Sequence, residues 1–273
     1  MNEDHPQAPT ISACLIVRDE ASVLDRCLAS LEGVVDEIVV VDTGSRDDTK
    51  EVAGKYTERI YDFEWCDDFS AARNFANSKA TGDWLLTIDA DEYVPEDCRH
   101  RYKEAVKLLH ETDYWLIMPR VYMLGQRGAS GPDSAHQVFF GQRLLRRTCG
   151  VEWKNASHNV LDVPPERCVR AAPLKIHHDR AARHNLRNLQ RARQRQRMNL
   201  ANLRAAVEKD PRDQRSWFYL GNTHLDSGHH ASAAKCYRNY LSITKEQRGH
   251  ERWQVAYYLA RWLLGTRTEE QGR

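Results

Sequence analysis

Trp84-Leu85-Leu86-Thr87-Ile88-Asp89-Ala90-Asp91-Glu92-Tyr93 runs an apolar strand straight into a set of carboxylates. Hiding a carboxylate is costly unless it is paired or bound to a metal. In an extended chain, positions i and i+2 point the same way. Asp89 and Asp91 are therefore expected to reach one hard cation, Mn²⁺ or Mg²⁺, whose oxygen-ligated sites keep positions open for phosphate. Taken alone, the triplet reads equally as helix-capping or solvated acids.

Working outward, the strand is the fourth in an alternating series. Residues 11–17 form an apolar run, and Val23, Leu24, Cys27, Leu28 and Leu31 follow at helical spacing, closed by Gly33. Residues 37–41 predict a second strand. The turn-rich Asp42-Thr43-Gly44-Ser45 then leads to a helix carrying Val52 and Tyr56. A third strand is expected at 59–63. A helix follows through Ala71, Ala72, Phe75 and Ala76, then Gly82 and the strand at 84–88. Strand–helix alternation with short loops predicts a three-layer α/β fold around a mostly parallel sheet. Ligands of such sheets bind beyond the carboxyl ends of the strands. Glu20, Asp42, Asp89 and Asp91 all fall there.

Further along, a helix is expected at 96–111, and extended segments at 114–118, 120–124, 137–147, 151–161 and 174–178. The stretch 125–133, with Gly125, Gly128, Gly131 and Pro132, reads as a lid or a plain surface loop. From Arg180 the chain turns helical and basic, with arginines at 183, 187, 191, 193, 195, 197 and 204. Arg183, Arg187 and Arg191 share a helical face, which suits solvent first and a nucleic-acid backbone second. Trp217, Leu220, Gly221, His224, Ala233, Tyr237 and Tyr240 fall at offsets resembling a tetratricopeptide repeat, and one more helix is expected at 251–264. The expected boundary lies near residue 180, giving an α/β domain over 1–180 and a helical, tetratricopeptide-like domain over 181–273.

Composition narrows the class. The 273 residues are 41% hydrophobic and 29% charged, with a formal net charge of +1. Neither a nucleic-acid-like basic excess nor an acidic one is present. No apolar run reaches the length of a membrane span, and Met1–Pro9 is too polar for a signal peptide. The 7 cysteines form no CxxC pair, which argues against zinc ribbons and disulfide frameworks. The expectation is a cytoplasmic protein with reduced thiols. Trp262 and Leu263 leave an oligomer open.

The motifs together resemble family 2 glycosyltransferases of the GT-A fold. The matching pieces are Leu15-Ile16-Val17-Arg18-Asp19-Glu20, Val41-Asp42-Thr43-Gly44-Ser45-Arg46-Asp47-Asp48-Thr49, Phe69-Ser70-Ala71-Ala72-Arg73-Asn74 and Asp89-Ala90-Asp91-Glu92-Tyr93, in that family's order and spacing. Trp65-Cys66-Asp67-Asp68-Phe69-Ser70 and the helical tail are similar to a subgroup containing bacterial peptide S-glycosyltransferases.

The resemblance implies a nucleotide-sugar donor, with UDP as the nucleotide. Val17, Arg18, Glu20, Asp42, Gly44, Arg73, Asp89 and Ala90 would then hold the nucleotide. Asp42 would accept from the base, or else cap the next helix. Asp89, Asp91 and His178 are the implied metal ligands, His178 fitting better than His177 by register. A base is expected where Asn159 stands, and an amide takes no proton at neutral pH. His158, Glu152 or Asp133 is left for that role. Trp153, Arg143 and Arg187 are assigned to the acceptor, with core packing as the default for Trp153. The implied acceptor is a peptide or protein side chain, or alternatively a modified base in DNA. A catalytically dead scaffold with a partner-binding tail is the rival outside enzymes.

Overall fold

The computed structural model describes residues 8–124, 137–179, 186–243, 252–260 and 262, and in the helix beginning at Leu186 it describes side chains from residue 194 onward. The chain separates into two compact units, Met1–Asn185 and Leu186–Arg273.

The first unit begins with β1 (Ile11–Val17), α1 (Ala21–Ala29), β2 (Glu37–Asp42), α2 (Thr49–Gly54), β3 (Ile60–Asp62), α3 (Phe69–Lys79) and β4 (Trp84–Thr87). Alternate β1 residues enter opposite cores. Ala13 and Leu15 pack with Leu24, Cys27 and Leu28 of α1, whereas Cys14 packs with Ala76 of α3. That two-sided burial explains why β1 carries no polar–apolar alternation. Asp68 caps α3, its carboxylate accepting from Ser70 N–H at 2.7 Å and Ala71 N–H at 3.1 Å.

The rest of the unit comprises β5 (Glu92–Tyr93), α4 (Arg99–Leu109), β6 (Leu116–Leu124), β7 (Gln137–Phe140), β8 (Leu144–Arg146), β9 (Trp153–Lys154), β10 (Val160–Leu161) and β11 (Cys168–Asp179). The main sheet runs β3-β2-β1-β4-β8-β6-β11-β5, with β7 on β6; β9 and β10 form a separate pair. Its first four strands are parallel, as is β6 with β11. The pairings of β8 with β4 and β6, of β7 with β6, and of β5 with β11 are antiparallel. The sheet is thus mixed, where a mostly parallel one was expected. The sequence signal came from the βαβ half, and in the second half β5, β7 and β8 join the sheet antiparallel.

Two strand boundaries also differ. Pro119 does not end a strand: β6 runs through it, while β11 breaks register between Ala171 and Lys175 opposite. Proline has no N–H for the ladder, and the partner strand bulges there. The expected strand 137–147 is instead two, interrupted at 141–143, and that interruption carries Arg143.

The second unit holds α5 (Leu186–Lys209), α6 (Gln214–Asp226) and α7 (His230–Ile243), with further helix over 252–260. α6 and α7 pack closely at Gly221, where a Cβ would sit 2.4 Å from the Tyr237 ring. Tyr237 Oη donates to Asn222 Oδ1 at 2.7 Å. No helix among the described residues is long and apolar enough to cross a membrane.

Candidate active site

β1 and β2 end side by side, Val17 opposite Asp42. Beyond them the two loops are laced together. Asp19 N–H donates to Ser45 Oγ at 2.9 Å, Arg46 N–H to Asp19 Oδ1 at 2.6 Å, and Glu20 N–H to Thr49 Oγ1 at 2.7 Å. Val17 is buried and offers its carbonyl to Thr43, whereas Arg18 is exposed. Asp42 is 1% exposed. Its Oδ1 accepts from the N–H groups of Gly44 and Ser45, each at 2.8 Å, forming an Asx-type turn. Its Oδ2 is buried with no hydrogen-bond partner among the described residues. Asp42 does not cap α2; Asp48 occupies the cap position, and Asp47 receives the Thr49 N–H. Gly44 has φ +102°, a conformation that disfavours any side chain, with open space where a Cβ would project.

Across β1, β4 ends at Thr87, and the chain does not stay extended through the carboxylates. Glu92 N–H donates to Asp89 O at 2.9 Å, and Asp89 N–H donates back to Glu92 Oε2 at 3.0 Å. This reciprocal turn ends the extended backbone at the triplet, and the two carboxylates have different partners. Asp89 Oδ1 meets Arg73 Nη2 at 2.8 Å, and Cys27 Sγ donates to the Asp89 carbonyl at 3.4 Å. Burial would raise the Asp89 carboxyl, but the charges of Arg73, Arg143 and His178 hold it below the usual carboxylate range. Asp91 Oδ2 lies 3.1 Å from His178 Nε2.

His178 sits directly opposite Glu92 in the β11–β5 pair. Its Nδ1 lies 3.4 Å from Glu92 Oε1, and that same oxygen accepts from Arg143 Nη2 at 2.7 Å. Burial would lower the imidazole, but hydrogen bonds to Asp91 and Glu92 raise it to about 9. His177 points elsewhere, with Nδ1 3.2 Å from Tyr93 Oη and its ring edge-on to Tyr122. Burial lowers its pKa.

Arg73 also lies over the Trp153 ring, 5.2 Å from its centroid, and its Nε and Nη1 are buried without hydrogen-bond partners among the described residues. Trp153 is anchored by Asn74, which accepts from Trp153 N–H at 2.8 Å and donates to its carbonyl at 3.0 Å. Its ring packs with Leu116, Leu145 and Leu161. Arg143, expected at the acceptor, lies against the buried Glu92. Asn159 Nδ2 donates to Ser70 Oγ at 3.1 Å and Asn155 O at 2.7 Å, so it fastens the β9–β10 hairpin to the start of α3. His158 (φ +54°) and Glu152 are exposed on that hairpin segment. Asp133, the 125–133 loop, and the side chains of Arg183, Arg187, Arg191 and Arg193 lie outside the described residues.

Among the described residues no group of three or more His, Cys, Asp or Glu is arranged to hold a metal ion. Of the expected trio, Asp91 and His178 stand together, and Asp89 Oδ1 meets Arg73. The pair itself fits: two adjacent ligands on an octahedral ion with bonds of about 2.1 Å stand about 3 Å apart. Asp91 and His178 have that separation. Mg²⁺-type sites often use one or two protein donors and complete the shell with phosphate and water.

The model of glycosyl transferase family 2 matches residues 12–163, more than half of the chain, and the chain belongs to that family. An uncharacterized glycosyltransferase of Rickettsia felis is 33% identical over 122 residues, 45% of this chain and 42% of the relative. A tetratricopeptide-repeat-containing protein of Synechococcus elongatus is 56% identical over 82 residues, 30% of this chain and 20% of the relative. The chain therefore spans less than half the length of these relatives. The SPbeta prophage-derived glycosyltransferase SunS of Bacillus subtilis is 32% identical over 103 residues, 37% of this chain and 24% of that protein. Among solved structures, S. aureus TarS residues 1–349 superpose with a TM-score of 0.51 at 12% identity, covering 86% of this chain and 81% of TarS. That likeness establishes the shared fold.

Glu92 is the site residue whose partners sequence reading missed. The only local signal was a further acid directly after Asp91.

Proposed function

We propose that the chain transfers a sugar from a UDP-sugar to a peptide or protein side chain, with a bound Mn²⁺ or Mg²⁺ ion. The observation that carries the donor reading is Asp42 Oδ2, buried and without a hydrogen-bond partner among the described residues. A buried carboxylate oxygen left unpaired is costly, and an N–H of a nucleobase satisfies it. TarS has been solved in complex with UDP-GlcNAc, at a TM-score of 0.50, which supports uracil as that base. Arg73, with Nε and Nη1 buried and without hydrogen-bond partners among the described residues, supplies positive charge for the diphosphate.

Asp91 and His178 would hold the metal. When bound, the ion neutralises charge that develops on the departing diphosphate. The chain's own residues fix the donor on either side of β1: Asp42 holds the base, Gly44 lets the backbone approach, and Arg73 orients Asp89 toward the ribose. The base remains assigned to His158, Glu152 or Asp133. The peptide acceptor rests on the motif resemblance, with the helical unit, read as tetratricopeptide-like, holding it.

One observation favours the non-catalytic reading. Asn159 is committed to Ser70 and Asn155, so the position where a carboxylate base is expected serves the fold instead. A donor screen that reads released nucleotide decides between the two. Slow hydrolysis of a UDP-sugar in the presence of Mn²⁺ is expected. Intact donor after long incubation with candidate acceptors would establish the scaffold.

A further inference from the structure

Glu92 has a fully buried side chain, and both of its oxygens accept hydrogen bonds. Oε2 takes the Asp89 N–H at 3.0 Å. Oε1 takes Arg143 Nη2 at 2.7 Å and faces His178 Nδ1 at 3.4 Å. A carboxylate accepts on both oxygens; an amide would turn a donor toward a donor on one side or the other. Glu92 offers His178 only an acceptor oxygen, already receiving from Arg143, so the ring nitrogen facing it is the one placed to donate. The other nitrogen, Nε2, then faces Asp91 Oδ2 at 3.1 Å. Backbone register places this arrangement in advance, because His178 and Glu92 stand opposite each other in adjacent antiparallel strands.

We propose that Glu92 is a positioning residue: it keeps Nδ1 of His178 as the donor to its carboxylate and Nε2 turned to Asp91, so that Nε2 and Asp91 are preset for the cation of the donor diphosphate, which takes the place of the Nε2 proton. This rests on the reading of Asp91 and His178 as the cation site. Arg143 holds the Glu92 carboxylate oriented, which gives that arginine an indirect part in donor binding. A carboxylate behind a metal-bound histidine fixes its tautomer and raises its basicity, and loss of such a partner typically weakens metal binding about 10- to 100-fold.

The test uses the full chain. Mn²⁺ is titrated by electron paramagnetic resonance with UDP present, and uridine, which has no diphosphate, is titrated by calorimetry. Glu92→Gln should weaken Mn²⁺ by about 10- to 100-fold and lose the nitrogen coupling of His178 to the ion, while uridine binds as before. Because that variant breaks a buried ion pair, the double variant Glu92→Gln/Arg143→Met is measured beside it. A wild-type measurement needs no variant: nitrogen NMR of the Mg²⁺–UDP complex should show His178 protonated at Nδ1. An unprotonated Nδ1 overturns the proposal. So does unchanged Mn²⁺ affinity in a folded variant, or an equal loss of uridine affinity, which marks a purely structural role. Wild-type protein that binds uridine but takes up no Mn²⁺ with UDP overturns the cation site itself, and this assignment with it.

Discussion

His178 Nε2 lies 3.1 Å from Asp91 Oδ2, with the other ring nitrogen turned to Glu92. In the metal-free protein this is a cation held between two acids, and its pKa stands near 9. The folded value exceeds the unfolded one, so the contribution to stability is complete below pH 6.5 and disappears as pH rises through 9. Metal-free protein should therefore lose about 3 kcal/mol between pH 6 and 9.5 by this route. Urea unfolding at both pH values measures it. His178→Gln should flatten that part of the profile.

Asp42→Asn separates turn from ligand. The amide oxygen can still accept from Gly44 and Ser45, while the NH₂ replaces the unpaired Oδ2. Uridine affinity should fall by about 1.5–3 kcal/mol, the worth of a hydrogen bond to a charged group. The melting temperature should hold or rise. Calorimetry and thermal unfolding on one sample check both; unchanged affinity would remove Asp42 from the donor site.

Arg73→Met breaks the contact with Asp89 and leaves that carboxylate without its nearest cation. The Asp89 pKa should rise toward the ordinary range, and stability should fall by roughly 1–3 kcal/mol. Nucleotide release from UDP-sugar should fall more steeply than uridine affinity, since uridine carries no diphosphate. The two rates and affinities, measured side by side, give the comparison.

Gly221→Ala tests the helical unit. Its Cβ would enter the Tyr237 ring at 2.4 Å, and Tyr237 is 1% exposed, so the ring has nowhere to retreat. Overpacking of this kind costs about 1–3 kcal/mol. Unfolding followed by far-ultraviolet circular dichroism should show the helical unit melting earlier, with uridine binding unchanged.

Local pattern carried a good part of this protein. The uninterrupted apolar run at 11–17 announced a strand covered on both faces, and 84–87 did the same. Acids after three strands announced the shared rim at the ends of β1, β2 and β4. What failed were expectations about direction. The Asp89-Ala90-Asp91 triplet reads as extended, yet the reciprocal Asp89–Glu92 bonds close it into a turn. Pro119 reads as a break, yet β11 absorbs it by bulging.

The sequence by itself determined the periodicities, and with them the βαβ half, the helical tail and the rim bearing Asp42, Asp89 and Asp91. Tertiary structure alone decided which charges meet: Arg73 with Asp89, His178 with Asp91, and Arg143 with Glu92, the last 51 residues apart. The reason is physical. Periodicity records which face of an element is buried, a local property. An ion pair depends on which distant strands become neighbours, and here the path β8-β6-β11-β5, antiparallel except between β6 and β11, made that choice.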